Sequence, residues 1–363
     1  VYTLPEQVVG HTDYAFMSHE ASVYDILKEA VTNPQQVRFK FGLESLVNRV
    51  CKRICPTFLV VHYGVHLLGF VDRVPLPTMI VYFAPCVRSN FPVVFDSVLK
   101  KKTFKLTNAE VGQASWDVFD RRQHLLNPGK CAVKTTYHVL CCEPEMLPRF
   151  VPLGRVVFAG TLSRPRSRPR PLQCMTNKQK VAFVTFGSFR KAIEVVLLRK
   201  ICNALITAGY TVLLHNCRLD GVESVHGYVS YHDIVPACSL VVFTGSLCLQ
   251  SISFAHSTCM LYVPVLAEQY FWAHAYQHKT GVPFVRSTTT ERELSHILGV
   301  AHSQKALDHL RLVSSKMHAS QPTAVLRGIE DVIKASRTGR RAWGLPSTRA
   351  ASVRHWHRHR HHH

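Results

Sequence analysis

Apolar positions in this chain cluster into short unbroken runs, and between the runs they recur every three or four residues. The runs cover Phe58 to Val61, Met79 to Phe83, Tyr137 to Cys141, Val156 to Gly160, Val181 to Phe186, Thr211 to Leu214, Leu240 to Phe243 and Met260 to Val263. Runs of four to six apolar residues bounded by Gly, Pro or polar residues read as strands buried on both faces, as in parallel sheets. A period of three to four predicts helices over 23–30, 43–54, 191–208, 291–298, 303–318 and 324–335, and a helix between the last two strands. Tyr228-Val229-Ser230 reads as a further short strand, and Val65 to Val71 as a helix-like turn. Thr288 stands three residues before Glu291, the spacing of a capping box. Strands alternating with helices predict an α/β protein built on parallel sheets.

At 363 residues the chain can fill two cores. With 47% apolar residues it is globular. No apolar run reaches the ~20 residues needed to cross a bilayer, and no secretory signal opens the chain, so a cytoplasmic protein is expected. The net charge of +21 is unevenly placed. Two acid-free stretches, 161–180 and 334–363, hold 14 of the positive charges. The first, which includes SRPRSRPRPL, is read as an extended, exposed linker because proline fixes φ and removes donors. The second is read as a disordered basic tail rich in His. Both could bind polyanions nonspecifically. The expected organisation is therefore an N-terminal domain over 1–160, a linker over 161–180, a C-terminal domain over 181–335 and a tail over 336–363. The twelve cysteines show no zinc-site spacing, and reduced thiols are expected; Cys202, Cys248 and Cys259 read as small hydrophobes in apolar segments.

Two turns carry candidate chemistry. Val181 to Phe186 runs into Gly187-Ser188, and Leu240 to Phe243 runs into Thr244-Gly245-Ser246 before a helix. A small-residue turn between a parallel strand and a helix offers free N–H groups at the positive end of the helix dipole, where phosphates are held. Pro264 and the pair Glu268-Gln269 follow the second strand of this unit.

These residues resemble the donor signature of family 1 glycosyltransferases, the UDP-sugar-dependent enzymes of GT-B fold. The stretch Ser239 to Pro283 lies against that signature without a gap, and Val181 to Ser188 resembles the family's strand ending in Phe-Gly-Ser. The resemblance implies two Rossmann-like parallel-sheet domains facing across a cleft. It implies donor contacts from Gly187, Ser188, Thr244, Gly245 and Ser246 to the diphosphate, and from Glu268 and Gln269 to the sugar. The family's His, Ser or Thr, and Glu are replaced here by Thr244, Leu249 and Ile252, and an isoleucine cannot bond a ribose hydroxyl. Tyr228 or Tyr231 stands where an aromatic residue could stack on the base.

Pro56 to Pro85 resembles a βα unit of the family's N-terminal domain, in which the first strand ends in an Asp that orients a catalytic His. His62 occupies that Asp position, and Gly10-His11 is the Gly-His turn that the chain offers for the catalytic His. Both histidines are candidates for the base. No apolar strand precedes His11 and the chain opens on Val1, so the first βα unit is expected to be missing. Residues 86–135 are expected to line the acceptor cleft.

The function implied is transfer of a sugar from a UDP-sugar to a hydroxyl of a small or lipid-like acceptor, with no cofactor and no metal expected. The alternative is an inactive GT-B scaffold that binds RNA, another polyanion or a protein partner.

Overall fold

The computed structural model describes residues 45–54, 56, 59–62, 78–82, 136–147, 156–159, 175, 180–265, 267–319, 330 and 334. Helix α1 covers 45–54. Strands β1 (Leu59–His62), β2 (Thr78–Tyr82), β3 (Thr136–Leu140) and β4 (Val156–Phe158) form a four-stranded parallel sheet in sequential order. Each strand lies within one or two residues of its apolar run. The expected helices at 23–30, 65–71 and 324–335, and the segments 86–135 and 336–363, lie outside the described residues, apart from Glu330 and Lys334.

A second sheet contains β5 (Val181–Thr185), β6 (Thr211–His215), β7 (Glu223–Val225), β8 (Leu240–Phe243) and β9 (Cys259–Tyr262). Its order is β7-β6-β5-β8-β9, all parallel. β5, β8 and β9 are buried at every position, as unbroken apolar runs require when helices cover both faces. The helices are α2 (Val195–Thr207), α3 (Tyr231–Ile234), α4 (Leu247–Ala255), α5 (Ala267–Thr280), α6 (Glu291–Ala301) and α7 (Gln304–Ala319).

The core runs continuously from this sheet to a short 3-10 turn, Pro144–Met146, that follows β3. Met146 and Leu147 are buried in it, the turn packs against α5 and α7, and Lys316 approaches Glu145 at 3.8 Å.

Several expectations need correction. The helix after β5 does not start at Lys191: residues Gly187–Ala192 form a 3-10 turn and α2 begins at Val195. The short strand is Glu223–Val225, while 228–230 are loop. The capping box uses Thr290 and Glu293 and not Thr288 and Glu291, because the helix begins at Glu291, so that Thr290 is the N-cap and Glu293 the third helical residue. Within the span read as linker, Met175 is buried in the core. Cys248 is exposed, although Cys202 and Cys259 are buried; every described cysteine is a free thiol.

Candidate functional site

Strand register places the candidate residues along one edge. Val225, His215, Thr185, Phe243 and Tyr262 are paired in a single row across all five strands, each at a carboxyl end. The loops leaving that row begin at 226, 216, 186, 244 and 263, so Gly187-Ser188 and Thr244-Gly245-Ser246 stand side by side. The chain runs outward from β5 through β6 to β7, then returns to the other side of β5 as β8. The topological switch point therefore lies between β5 and β8, where the two turns meet and where open α/β sheets hold their ligands.

The turns are built differently. Gly187 adopts φ +54 and is exposed, and a Cβ there would meet nothing within 4 Å. Ser188 is exposed beside it, followed by exposed Arg190 and Lys191. Gly245 adopts φ +107 and is walled in: a Cβ would stand 3.3 Å from both Gln269 Cβ and Tyr262 Cδ1. Thr244 is buried, while Ser246 is exposed and serves as N-cap of α4 without a side-chain capping bond. The first amides of a helix have no intrahelical acceptor, and the first turn of α4 carries no acid to repel an anion. The crevice between the two turns thus offers two exposed serines and the first-turn amides of α4, with exposed Arg190 and Lys191 further along the turn that begins at Gly187.

Gln269 does not extend freely toward this crevice. Its side chain is buried, Oε1 accepts from the Val265 amide at 2.7 Å, and its Cβ braces the Gly245 turn. Glu268 lies in the first turn of α5. Leu249 and Ile252 are core residues, each 1% exposed, which explains in packing terms why both are apolar. Below them Tyr262 donates to Gln250 Oε1 at 2.8 Å, and burial holds the Tyr262 phenol well above its ordinary pKa.

Of the aromatic candidates, Tyr231 packs edge-on against Phe183 and His215. Tyr228 is 95% exposed. His62 ends β1, paired with Val81, at the carboxyl edge of the other sheet. His11 lies outside the described residues, as do most of the basic residues considered for polyanion binding. No group of three metal-ligating side chains occurs among the described residues, and none of their helices is long and apolar enough to cross a membrane.

Sequence reasoning missed Arg190, which stood between the turn and the expected helix, and Lys191, which was read as the first residue of that helix. Their signal was the basic pair two residues beyond Gly187-Ser188. His215 and Asn216 were also missed; a polar pair closing an apolar strand run was the available sign.

Solved glycosyltransferases share this architecture. A UDP-glucosyltransferase from Polygonum tinctorium capable of glucosylating indoxyl superposes with a TM-score of 0.60, covering 92% of this chain and 86% of its own at 12% identity. UGT71G1 of Medicago truncatula, complexed with UDP-glucose, gives a TM-score of 0.60 over 84% and 83% of the two chains at 13% identity. The chain has the GT-B fold. The spinosyn rhamnosyltransferase SpnG, complexed with thymidine diphosphate, gives a TM-score of 0.56 over 85% and 81% at 14% identity. No protein-family model and no curated protein matches the sequence.

Proposed function

We propose that this GT-B protein is a glycosyltransferase that moves a sugar from a UDP-sugar to a hydroxyl of a small or lipid-like acceptor. The observation that carries the reading is the pair of small-residue turns at the switch point between β5 and β8, with Ser188 and Ser246 exposed at one edge beside the start of α4. Negative charge builds on the diphosphate as the sugar–phosphate bond breaks. Donors fixed in advance at that position stabilise the leaving group without reorganising. Ser188, Ser246 and the first-turn amides of α4 would supply them, with Arg190 and Lys191 adding positive charge, so activity is proposed to need no metal. Thr244 and Gly245 shape the turn, Gln269 braces it, and Glu268 would hold the sugar. Either His62 or His11 would take the acceptor proton.

The experiment is calorimetric titration of the purified chain with UDP, UDP-glucose and UDP-N-acetylglucosamine, repeated on Ser246→Trp. Ser246 is exposed, so the indole should fill the crevice without disturbing the core. Saturable binding in the parent chain that vanishes in a folded Ser246→Trp is expected. No binding at millimolar nucleotide would overturn the donor reading and favour a scaffold without transfer chemistry. Given binding, turnover unchanged by a chelator would agree with the metal-free proposal, and His62→Ala should lower kcat while KM stays near its original value.

A further inference from the structure

Against the Gly245 turn lies a buried polar pair that the proposed chemistry does not use. Tyr262 closes β9, paired in register with Phe243, and its ring centroid lies 4.7 Å from that of Phe243 and 5.3 Å from that of Tyr276. The edge of the same ring walls in Gly245, with Cδ1 3.3 Å from where a Cβ would stand. Its hydroxyl donates to Gln250 Oε1 at 2.8 Å. Gln250 is the fourth residue of α4, and its amide donates to the Ser246 carbonyl at 3.0 Å, closing the first turn of the helix. One tyrosine therefore touches the glycine turn and holds the first turn of α4.

For stability alone the pair is a poor choice. Tyr262 is 2% and Gln250 0% exposed, and Leu249 and Ile252, buried neighbours of Gln250 on α4, are apolar. Among the described residues Gln250 Nε2 has no hydrogen-bond partner. A buried donor left unpaired costs free energy, and apolar side chains of the same shape can replace such a pair with little loss or with a gain. What the pair does supply is direction. A hydrogen bond fixes the separation and angle of the two elements it joins, whereas apolar contact is non-directional.

We infer that Tyr262 and Gln250 are positioning residues for the diphosphate: their bond sets the first turn of α4, and with it the amides that follow Ser246, against the Gly245 turn. This rests on the proposed donor site and adds to it what holds its geometry. Both side chains are buried, so neither touches the ligand. Their effect falls on the phosphate end of the donor and is the same whether or not a nucleoside is attached.

The test measures thermal melting and the binding of two probes, UDP and inorganic pyrophosphate, on the full chain, on Tyr262→Phe, and on Tyr262→Phe combined with Gln250→Leu. Tyr262→Phe keeps the ring against Gly245 but leaves Gln250 Oε1 without its donor. Its melting temperature should fall, and its affinity for each probe should drop about tenfold, or 1.4 kcal/mol. The double variant leaves neither partner unpaired, so its melting temperature should return to that of the parent or rise above it, while both affinities stay about tenfold down. A pair that served stability alone would not separate the two readouts. Tyr210→Phe is the control: it removes a buried tyrosine hydroxyl, bonded to His302, at the other edge of the sheet, and should leave both affinities unchanged. Affinity that recovers with stability in the double variant, a double variant no more stable than Tyr262→Phe, an equal fall in Tyr210→Phe, or a fall for UDP with none for pyrophosphate would each overturn the inference while leaving the donor site standing. A parent chain that binds neither probe removes the donor reading, and this inference with it.

Discussion

At the carboxyl edge of the five-stranded sheet Gly187, Ser188 and Ser246 are exposed, and Ser246 makes no capping bond, whereas at the amino edge four polar side chains are tied to one another. There Lys180 donates to the Ala208 carbonyl at 2.9 Å and lies 4.1 Å from the Tyr210 ring. The Tyr210 hydroxyl bonds His302 Nε2, and His302 Nδ1 lies 3.3 Å from Cys259 Sγ. Burial pushes the Cys259 thiol up to about 11 and the Tyr210 phenol up to about 12, while burial and then Lys180 lower His302. The whole network is therefore neutral apart from the lysine. The same strands thus end in a bonded brace on one side and, at the switch point on the other, in two small-residue turns with exposed serines. Polar groups whose bonding is complete brace the fold; those left open at a switch point are the ones proposed to meet a ligand.

The most damaging way to break this contrast is Gly245→Val. The backbone at φ +107 and the 3.3 Å approach to Gln269 and Tyr262 leave a Cβ no place. Nucleotide affinity should fall at least a hundredfold, about 3 kcal/mol, with a lower melting temperature. A variant that bound normally would show that the turn does not shape the site.

Acid should loosen the protein from within rather than at the crevice. His309, buried in α7, is lowered to about 4 by burial and then by Lys279. Its unfolded value is 6.5, so between the two values the unfolded chain holds a proton that the native one lacks. Its stability contribution is complete above pH 6.5 and is lost as the pH falls toward 4, by about 3 kcal/mol in all. His309→Phe should flatten the acid side of a denaturation-versus-pH curve. An unchanged slope would contradict this assignment.

Tyr210→Phe sharpens the comparison from the amino edge. Removing the hydroxyl leaves His302 without that partner and should cost about 1–2 kcal/mol in chemical denaturation, while UDP affinity stays the same. A loss of affinity would mean that the two edges are coupled. The smallest effect belongs to Ser246→Ala. As an exposed N-cap without a capping bond it should shift stability by no more than about 0.5 kcal/mol, yet weaken UDP by about 1 kcal/mol if the hydroxyl meets a phosphate.

Strands β5, β6, β8 and β9 were legible because they are buried on both faces and appear as apolar runs with little interruption, while the strands of the first sheet were legible from their apolar runs even though Val60 of β1 is half exposed. β7 was not. Among the described strands it pairs only with β6, and its residues Glu223, Ser224 and Val225 are partly or fully exposed, so no apolar run marks it. Tyr228-Val229-Ser230 looks more like a strand, but the bonds from His215 and Asn216 to Gly227 draw that segment into a loop. The capping box was displaced by two residues because three consecutive threonines offer the same hydroxyl and both Glu291 and Glu293 offer the carboxylate, and the reciprocal bonds of Thr290 with Glu293 decide among them. The two turns of the candidate site were readable from their small residues after apolar strands. Their neighbours were not: the inward role of Gln269 depends on its contact with Gly245 across the bend between β9 and α5, a tertiary fact that residue spacing does not carry.

The central claim is that the turns after β5 and β8 hold the diphosphate of a nucleotide donor. A crystal structure of the chain grown with UDP tests it most directly. The diphosphate is expected within hydrogen-bonding distance of the Ser188 and Ser246 hydroxyls and of the first amides of α4. A diphosphate bound anywhere else on the chain, or a well-ordered crevice left empty at saturating UDP, would contradict it.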